Sequence, residues 1–550
     1  MKKTISILAF SLAGSALLAQ NLNPTVEVTN TYDAAVAPAA KPRQEVAVPD
    51  SVLVFNLDFD YDALDKPYQG SYEFRPYRVE LLPQGTVSTE NKFYLRAGAG
   101  YAFHPELDLV WSPLRTDVFR MNLTAAHRSY FGNYWDVQPQ TDFRITSGKD
   151  RWSGADMGNR VAMDASYEYG GGKVSFLAGW ENAYNRLPAL KRNFNGAVLE
   201  ARLDQLRTRT EYDYGARALV RSGSHAQLWA DHSRDKFSDT RVELEGHFGM
   251  PVGSSRVKLE AGMTYDGTSS ASLTRLQATP HYLMTFGDLS LDLGVRVEGT
   301  FRSRADFMPH KAGILFPAVR AEYRLLNDQM VIQASITGRN HASLPYDLLS
   351  QSRFLALPAL SAQWDNSIER IRLMLGIRGA VAARAAYDLQ IGYTRWLNGL
   401  LPSYDLFGGP LPFFMGYADC HLFFANLELG WKSDEWDALA HLKFSKAIVD
   451  TDGVTAPAPF AGDATLLYDW GGRIRAGLSG EWAAARGMRA LGNRYRVPGY
   501  FDLGVYAEYA FTRRFGVWGR AGNLLNQRIQ RIPGISEAGI WFTAGIRLNF

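Results

Sequence analysis

From Lys92 to the final residue the chain repeats one pattern: about ten residues in which apolar and polar side chains alternate, a break, then another such run. In KFYLRAGAGY, Phe93, Leu95, Ala97, Ala99 and Tyr101 share one face, opposite Tyr94, Arg96, Gly98 and Gly100. In SRVKLEAGMTYDG, Val257, Leu259, Ala261, Met263 and Tyr265 oppose Lys258, Glu260, Gly262, Thr264 and Asp266. HLFFANLELGWKSDEWDALAHLKF places Phe423, Ala425, Leu427, Leu429 and Trp431 on one face, turns at Ser433 to Glu435, and resumes with Trp436, Ala438, Ala440, Leu442 and Phe444. A period of two is that of a strand. A second face that is repeatedly charged cannot be buried in an apolar core.

Length decides what the apolar face meets. Strands of soluble sheets usually hold about 5–6 residues, whereas these segments reach about ten to twelve, the length that crosses a bilayer at a tilt. Breaks alternate between short turns (Leu325 to Asp328, Met250 to Ser255, Thr512 to Arg514) and longer polar stretches (Phe131 to Asn159, Asn340 to Asn366, Leu397 to Asp419, Val449 to Asp463). Short turns at one end and long loops at the other, with no fixed repeat, predict an all-β fold: a closed antiparallel transmembrane β-barrel over 92–550. About 23 candidate segments can be counted; an even number is required if both ends lie on one side, giving about 22 strands, with 20 as the fallback. The ambiguity falls between Phe194 and Thr240. Closure predicts that the last strand pairs with the first.

Ahead of the barrel, MKKTISILAFSLAGSALLAQ has the layout of a signal peptide, residues 1–19, and its apolar run is too short to span a membrane. No cysteine follows it, so a lipoprotein anchor is excluded. Residues 20–91 read as a polar periplasmic leader. Within it Asp58, Asp60 and Asp62 alternate with Leu57, Phe59 and Tyr61; Ala63 and Gln69 stand where a calcium loop requires Gly and Glu, so a short amphipathic strand is the better reading.

Composition adds little beyond support. Aromatic residues make up 13% of the chain and there are 50 glycines, which suits strands, turns and interfacial belts. The single Cys420 excludes an internal disulfide, and a formal charge of +3 gives no electrostatic case for nucleic acid. No G-x-S-x-G, H-E-x-x-H or P-loop is present, and the ten histidines lack ligand spacing; no enzyme activity, cofactor or metal is expected. The nearest approaches to acid–base pairs, His225/Asp231 and His421/Glu428, read as lumenal polar residues.

Parity assigns Arg96, Arg120, Arg202, Arg217, Glu260, Arg296, Glu298, Glu428, Lys443, Arg475, Glu508, Arg520 and Arg547 to the lumen. They either select solutes in a polar conduit or pair with one another to stiffen the wall.

The end of the chain carries a family resemblance. GRAGNLLNQRIQRIPGISEAGIWFTAGIRLNF resembles the closing hairpin of TonB-dependent receptors: Asn523, Leu524, Leu525 and Asn526 end the penultimate strand, a loop with Pro533 and Gly534 follows, and the last strand stops on Phe550. The resemblance implies a 22-strand outer-membrane barrel with both termini periplasmic. It also implies that Phe542, Ile546, Leu548 and Phe550 form the signal read by the barrel-assembly machinery. Members of that family carry a plug of well over a hundred residues ahead of the barrel; the shorter leader here lacks that organisation. Its VPDSV and FDYDALDKPY stretches resemble those of plug-less barrels of the Bacteroidota, and PTVEVTN, Pro24 to Asn30, is similar to a TonB-contacting segment. Two functions follow as expectations: a transport conduit gated by the leader, by loops or by a partner protein, or a non-enzymatic barrel subunit of a larger outer-membrane complex for nutrient capture or protein assembly. The expected partners are outer-membrane lipid, the assembly machinery and a periplasmic or surface protein at the lumen.

Overall fold

The computed structural model describes residues 92–550, apart from 102, 137–150, 188–189, 206–211, 230, 270, 303–311, 326–328, 343, 345–346, 348–364, 382–383, 404–413, 450, 452, 455, 491–492, 532–534 and 538. The readings of the signal peptide, the leader, its Asp-rich stretch and Pro24 to Asn30 lie outside the described residues.

Strands β1 to β8 are Phe93–Tyr101, Glu106–Arg115, Phe119–Asp136, Arg151–Tyr169, Gly172–Arg186, Leu190–Gln205, Asp213–Trp229 and Arg234–Val252. Strands β9 to β16 are Ser255–Thr268, Ser272–Phe286, Leu289–Arg302, Leu315–Leu325, Met330–Ala342, Asn366–Val381, Ala385–Ser403 and Phe414–Lys432. Strands β17 to β25 are Trp436–Val449, Phe460–Trp470, Ile474–Ala483, Arg486–Ala490, Asn493–Val497, Tyr500–Ala510, Phe515–Gly522, Ile535–Glu537 and Trp541–Asn549. Each of β1 to β18 pairs antiparallel with its successor, β19 continues to β22, β22 to β23, and β23 to β25. β25 then pairs with β1, from Tyr94↔Asn549 to Tyr101↔Phe542. The result is a closed barrel of 22 strands.

The remaining three strands stand outside that ring. β20 and β21 form their own hairpin, and β24 extends the sheet only at the end of β3. The surplus segment in the sequence therefore does not come from the region between Phe194 and Thr240, which folds as the regular β6, β7 and β8.

Several strands are longer than their pattern predicts. β4, β8, β15 and β16 each have 19 residues, about 60 Å of chain where a tilted crossing needs only 9–11 residues. The register of β3 with β4 runs unbroken from Phe119↔Tyr167 to Trp135↔Arg151. The two ends of Phe131 to Asn159, up to Asp136 and from Arg151, are thus strand rather than loop, as are the flanks of Leu397 to Asp419. Past the membrane the hairpins keep their backbone bonds while losing the need for an apolar face, so their alternation fades.

All the tight turns after even-numbered strands up to β18 and after β22 fall at the end where Lys92 and Phe550 meet. Gly253, Gly287, Gly471 and Gly472 supply the positive φ those reversals require. Exposed Trp111, Tyr169, Tyr323, Trp431, Trp470 and Tyr509 stand beside these turns as an aromatic girdle. Between the girdle and the far rim, Leu199, Leu244, Leu259, Val295, Leu375, Leu478 and Ile546 are exposed on the apolar face. The apolar clusters lie at the opposite rim: Tyr134 with Leu187 and Leu190; Trp396 with Cys420, Leu422 and Val454; Leu273 with Ala342 and Leu344; Tyr500 with Ala483 and Ile529. Among the described residues these clusters form a collar at that rim.

Two features fasten the seam. Phe550 carbonyl oxygen accepts from the backbone N–H of Lys92 at 2.5 Å and of Phe93 at 2.8 Å, and its ring lies 6.3 Å from that of Phe93. Gly545 lies so close to β1 that a Cβ there would stand 2.0 Å from the Ala97 carbonyl oxygen. Gly545→Val is therefore expected to hinder closure, read as loss of the heat-modifiable gel shift of the folded barrel. Deletion of Phe550 is expected to lower the amount of barrel in the membrane fraction more than deletion of a loop residue of similar size does.

Candidate functional site: the polar face of the barrel wall

On each strand the residues between the exposed apolar positions form a second, charged face. Its densest cluster crosses the seam. Arg96 on β1 lies 3.8 Å over the ring of Trp518 on β23, and Gly98 provides the space that ring occupies. Arg547 pairs with Glu508 at 2.9 Å, and Tyr506 donates to the same Glu508 carboxylate. Arg520 on β23 reaches Glu106 on β2 at 2.5 Å, passing two intervening strands. Glu106 also lies 3.5 Å from Arg128, which grips Asp108 at 2.6 and 2.7 Å. Trp541 meets His104 edge-on at 5.4 Å, and His104 bonds to Thr543.

Elsewhere the same device recurs. Arg217 lies among Glu200, Glu243 and Glu245 at 3.1–3.4 Å, and Arg202 is 3.6 Å from Glu200. Glu260 contacts Lys258 at 3.0 Å and His281 at 3.5 Å, while His281 is held by Asp292 at 2.7 Å. His441 bridges Glu428 and Asp463 in the same way, at 3.8 and 2.7 Å. Glu298 accepts from Asn340, backbone at 2.9 Å and side chain at 2.7 Å. Arg475 pairs with Asp469 at 2.7 Å. Of the other residues assigned by parity, Arg296 and Lys443 are half-buried, and Arg120 is exposed. The thirteen thus sit in several local groups along the wall and do not converge on one centre.

Two histidine pairings differ from the sequence reading. His225 is stacked between Phe194 and Phe237, its register partners on β6 and β8, and reaches Asp239 diagonally at 3.3 Å, since Asp239 stands opposite Gly223; Asp231 instead caps the turn at Ser233. His421 shares the parity of Phe423 on the apolar face and bonds to the Tyr393 hydroxyl at 2.7 Å, leaving Glu428 to His441. Among the described residues no group of three His, Cys, Asp or Glu side chains is arranged to hold a metal ion.

At the far rim two buried networks tie connecting segments to the wall, and sequence pattern did not single them out. Arg241 on β8 contacts Asp266 at 2.5 Å and Asp347 at 3.2 Å; Asp347, beyond β13, also pairs with Arg221 on β7. Burial works against the ionised Asp347 carboxyl, but Arg221 and Arg241 outweigh it and hold it below the usual carboxylate range. A depressed carboxyl keeps its stabilising contacts above the ordinary range and loses them only as pH falls through the lowered value. The second network centres on Arg531, which meets Glu481 at 3.1 Å and also Asp502; Tyr500 donates to Glu481 at 2.6 Å. Asn523, in the left-handed conformation, anchors the turn there by donating to Gln527 and Gly539 carbonyls at 2.8 and 3.0 Å. A lone Arg in an aperiodic segment carries no signal of its partner.

These features define a class: a closed 22-strand barrel with an apolar belt and an ion-paired polar face. No protein-family model matches the chain, and no curated protein matches it by sequence. Solved structures do. The FrpB iron transporter from Neisseria meningitidis (F3-3 variant) superposes with a TM-score of 0.62 at 9% identity, over 84% of this chain and 82% of that one. The ferripyoverdine receptor of the outer membrane of Pseudomonas aeruginosa gives 0.62 at 11%, over 85% and 72%. A variant of the ferric enterobactin receptor from Pseudomonas aeruginosa gives 0.58 at 10%, over 85% and 81%. At such identities the likeness is one of fold, the fold of outer-membrane receptors.

Asp502→Asn is expected to destabilise the barrel by about 3–5 kcal/mol, since it leaves Arg531 buried with weaker compensation. Chemical unfolding of the detergent-solubilised protein, followed by tryptophan fluorescence, measures this.

Proposed function

We propose that this chain is an outer-membrane barrel whose polar face lines a lumen, and that it serves as a gated transport conduit. The observation that carries the reading is the closed ring of 22 strands with continuous charged residues on one face. With strands about 4.8 Å apart and tilted by ~40°, such a ring is roughly 44 Å across between backbones. Barrels of this strand number enclose a lumen that needs an occluding element. Likeness in fold to a protein described as an iron transporter and to two described as receptors supports transport over catalysis.

In this reading the short-turn end, with Lys92 and Phe550, faces the periplasm, where the assembly machinery meets Phe542, Ile546, Leu548 and Phe550. The thirteen charged residues assigned by parity line the lumen, pairing to keep the wall rigid while they set its field. In this reading occlusion falls to the leader, to connecting segments or to a partner protein at the periplasmic or cell surface.

Purified protein in a planar bilayer is expected to conduct, and deletion of Asn21 to Leu82 to raise the conductance if the leader occludes. A silent bilayer, with stable co-purification of fixed partners under native detergent conditions, would replace the conduit by the scaffold function.

A further inference from the structure

On six neighbouring strands the apolar outer face gives way to a polar one well before the strands end. Register lines up His127 on β3, Asn159 on β4, Asn182 on β5, Asn195 on β6, Ser224 on β7 and Ser238 on β8 in one row. Four of these side chains are joined edge to edge. His127 Nδ1 meets Asn159 Oδ1 at 2.7 Å, Asn159 Nδ2 donates to Asn182 Oδ1 at 3.3 Å, and Asn182 Nδ2 donates to Asn195 Oδ1 at 3.0 Å. A few residues beneath the row, towards the short turns, Val161, Trp180, Leu199, Val220 and Leu244 are exposed and belong to the apolar belt. The row therefore marks the height at which the belt ends on this side. Around the ring, at β11 and β12, the same face remains apolar up to Phe301 and Leu315.

Above the row stands a patch of one charge. Arg186 on β5 faces Lys191 on β6, Lys191 faces Leu228 on β7, and Leu228 faces Arg234 on β8, with Lys236 one step below. All four basic side chains are exposed. Arg186 donates to the Ser153 hydroxyl at 3.0 Å, and among the described residues none of the four forms an ion pair. Tyr184, Asn193 and Ala226, the other outward residues between row and patch, are uncharged. The carboxylates at that end of the β7–β8 hairpin are engaged elsewhere: Asp235, on the inner face, accepts from the Trp229 indole N–H at 2.6 Å, and Asp231 accepts from Ser233 in the turn. From Arg186 to Arg234 is three strand spacings, about 14 Å, and the patch stands four residues, about 13 Å along the strands, beyond the amide row.

We infer that this outer face of β3 to β8 binds an anionic glycolipid, with its acyl chains on the apolar belt, its sugars against the amide row and its phosphates on Arg186, Lys191, Arg234 and Lys236. The three chemistries occur along the strands in the order in which such a molecule presents them. Amides and hydroxyls in a row offer both donors and acceptors to sugar hydroxyls. Basic side chains that no carboxylate neutralises keep their charge for phosphate, and close to a bilayer surface they attract anionic lipid over about a Debye length. Continuity with the belt favours a lipid over a soluble anion, since a free phosphate makes no use of the exposed Trp180 and Leu199 below. The inference rests on the reading that the belt lies in a bilayer, and not on transport.

To test it, the full chain in a neutral detergent is titrated with a rough lipopolysaccharide, with the same lipid after dephosphorylation, with phosphatidylcholine and with inorganic phosphate, and bound molecules are counted by native mass spectrometry. The phosphorylated glycolipid is expected to bind and the other three to bind weakly or not at all. Lys191→Glu with Arg234→Glu is expected to lower that affinity by roughly tenfold, and Lys191→Gln with Arg234→Gln by several-fold. Arg473→Glu with Arg514→Glu, exposed at the short-turn end, is expected to leave it unchanged. The heat-modifiable gel shift shows that each variant is folded. Equal affinity in the folded Lys191 and Arg234 variants, equal binding of the dephosphorylated lipid, or displacement of the glycolipid by inorganic phosphate at equal concentration overturns the inference. Loss of a co-purifying protein from the Glu variant with lipid binding intact overturns it too, and gives the face to a protein partner. Failure of the unaltered protein to insert into vesicles removes the membrane reading itself, whereas insertion with unselective lipid binding removes this inference alone.

Discussion

A lipid bilayer offers a strand edge no hydrogen-bond partner, and the rest of this molecule follows from that constraint. Twenty-one strand pairings leave two edges; only the pairing of β25 with β1 removes them. The seam is accordingly where the chain makes its most specific choices. Glycines on both strands let the backbones approach, Trp518 lies over one of them, and Arg520 bridges β23 to β2 across the join. Closure then fixes which parity faces outward on every other strand, because one slipped residue would turn a whole apolar set around.

The polar face answers a second requirement. Charged side chains close together on a curved wall must neutralise one another, and neighbours by register do so: Arg217 among three glutamates, His281 and His441 each between two carboxylates. Such pairs specify alignment between strands more than they add stability. Alternation plus local charge balance can be met by many sequences. Overlap with solved receptors across 84–85% of the chain at 9–11% identity is what so permissive a rule produces.

The fold was readable from sequence because its determinant is periodic. Leu259, Leu429 and Phe444 sit where their parity puts them, and the turn at Ser433 to Glu435 separates β16 from β17 as the pattern indicates. The limits of that reading are equally physical. Parity marks a strand only while one face must be apolar, so the extensions of β3, β4, β15 and β16 beyond the bilayer looked like loop. Parity also gives the face of a residue and not its partner. Asp231 is six residues from His225 in the chain, but the carboxylate that meets His225 is Asp239, one step along the neighbouring strand from its register partner Phe237. The contacts of Asp347 and Arg531 join residues far apart in the chain through segments with no period, and no local signal announces them.

Lys92 and Phe550 share a backbone hydrogen bond of 2.5 Å. The ends of the strand ring are therefore interchangeable with any of its tight turns: a short linker could join them and new ends be opened at Gly170 and Gly171, where nothing crowds either glycine. Such a circular permutant would keep every strand neighbour while moving Phe550 from a terminus to a turn. It separates two roles that coincide in the natural order, the residue as a partner in the ring and the residue as a free carboxylate end.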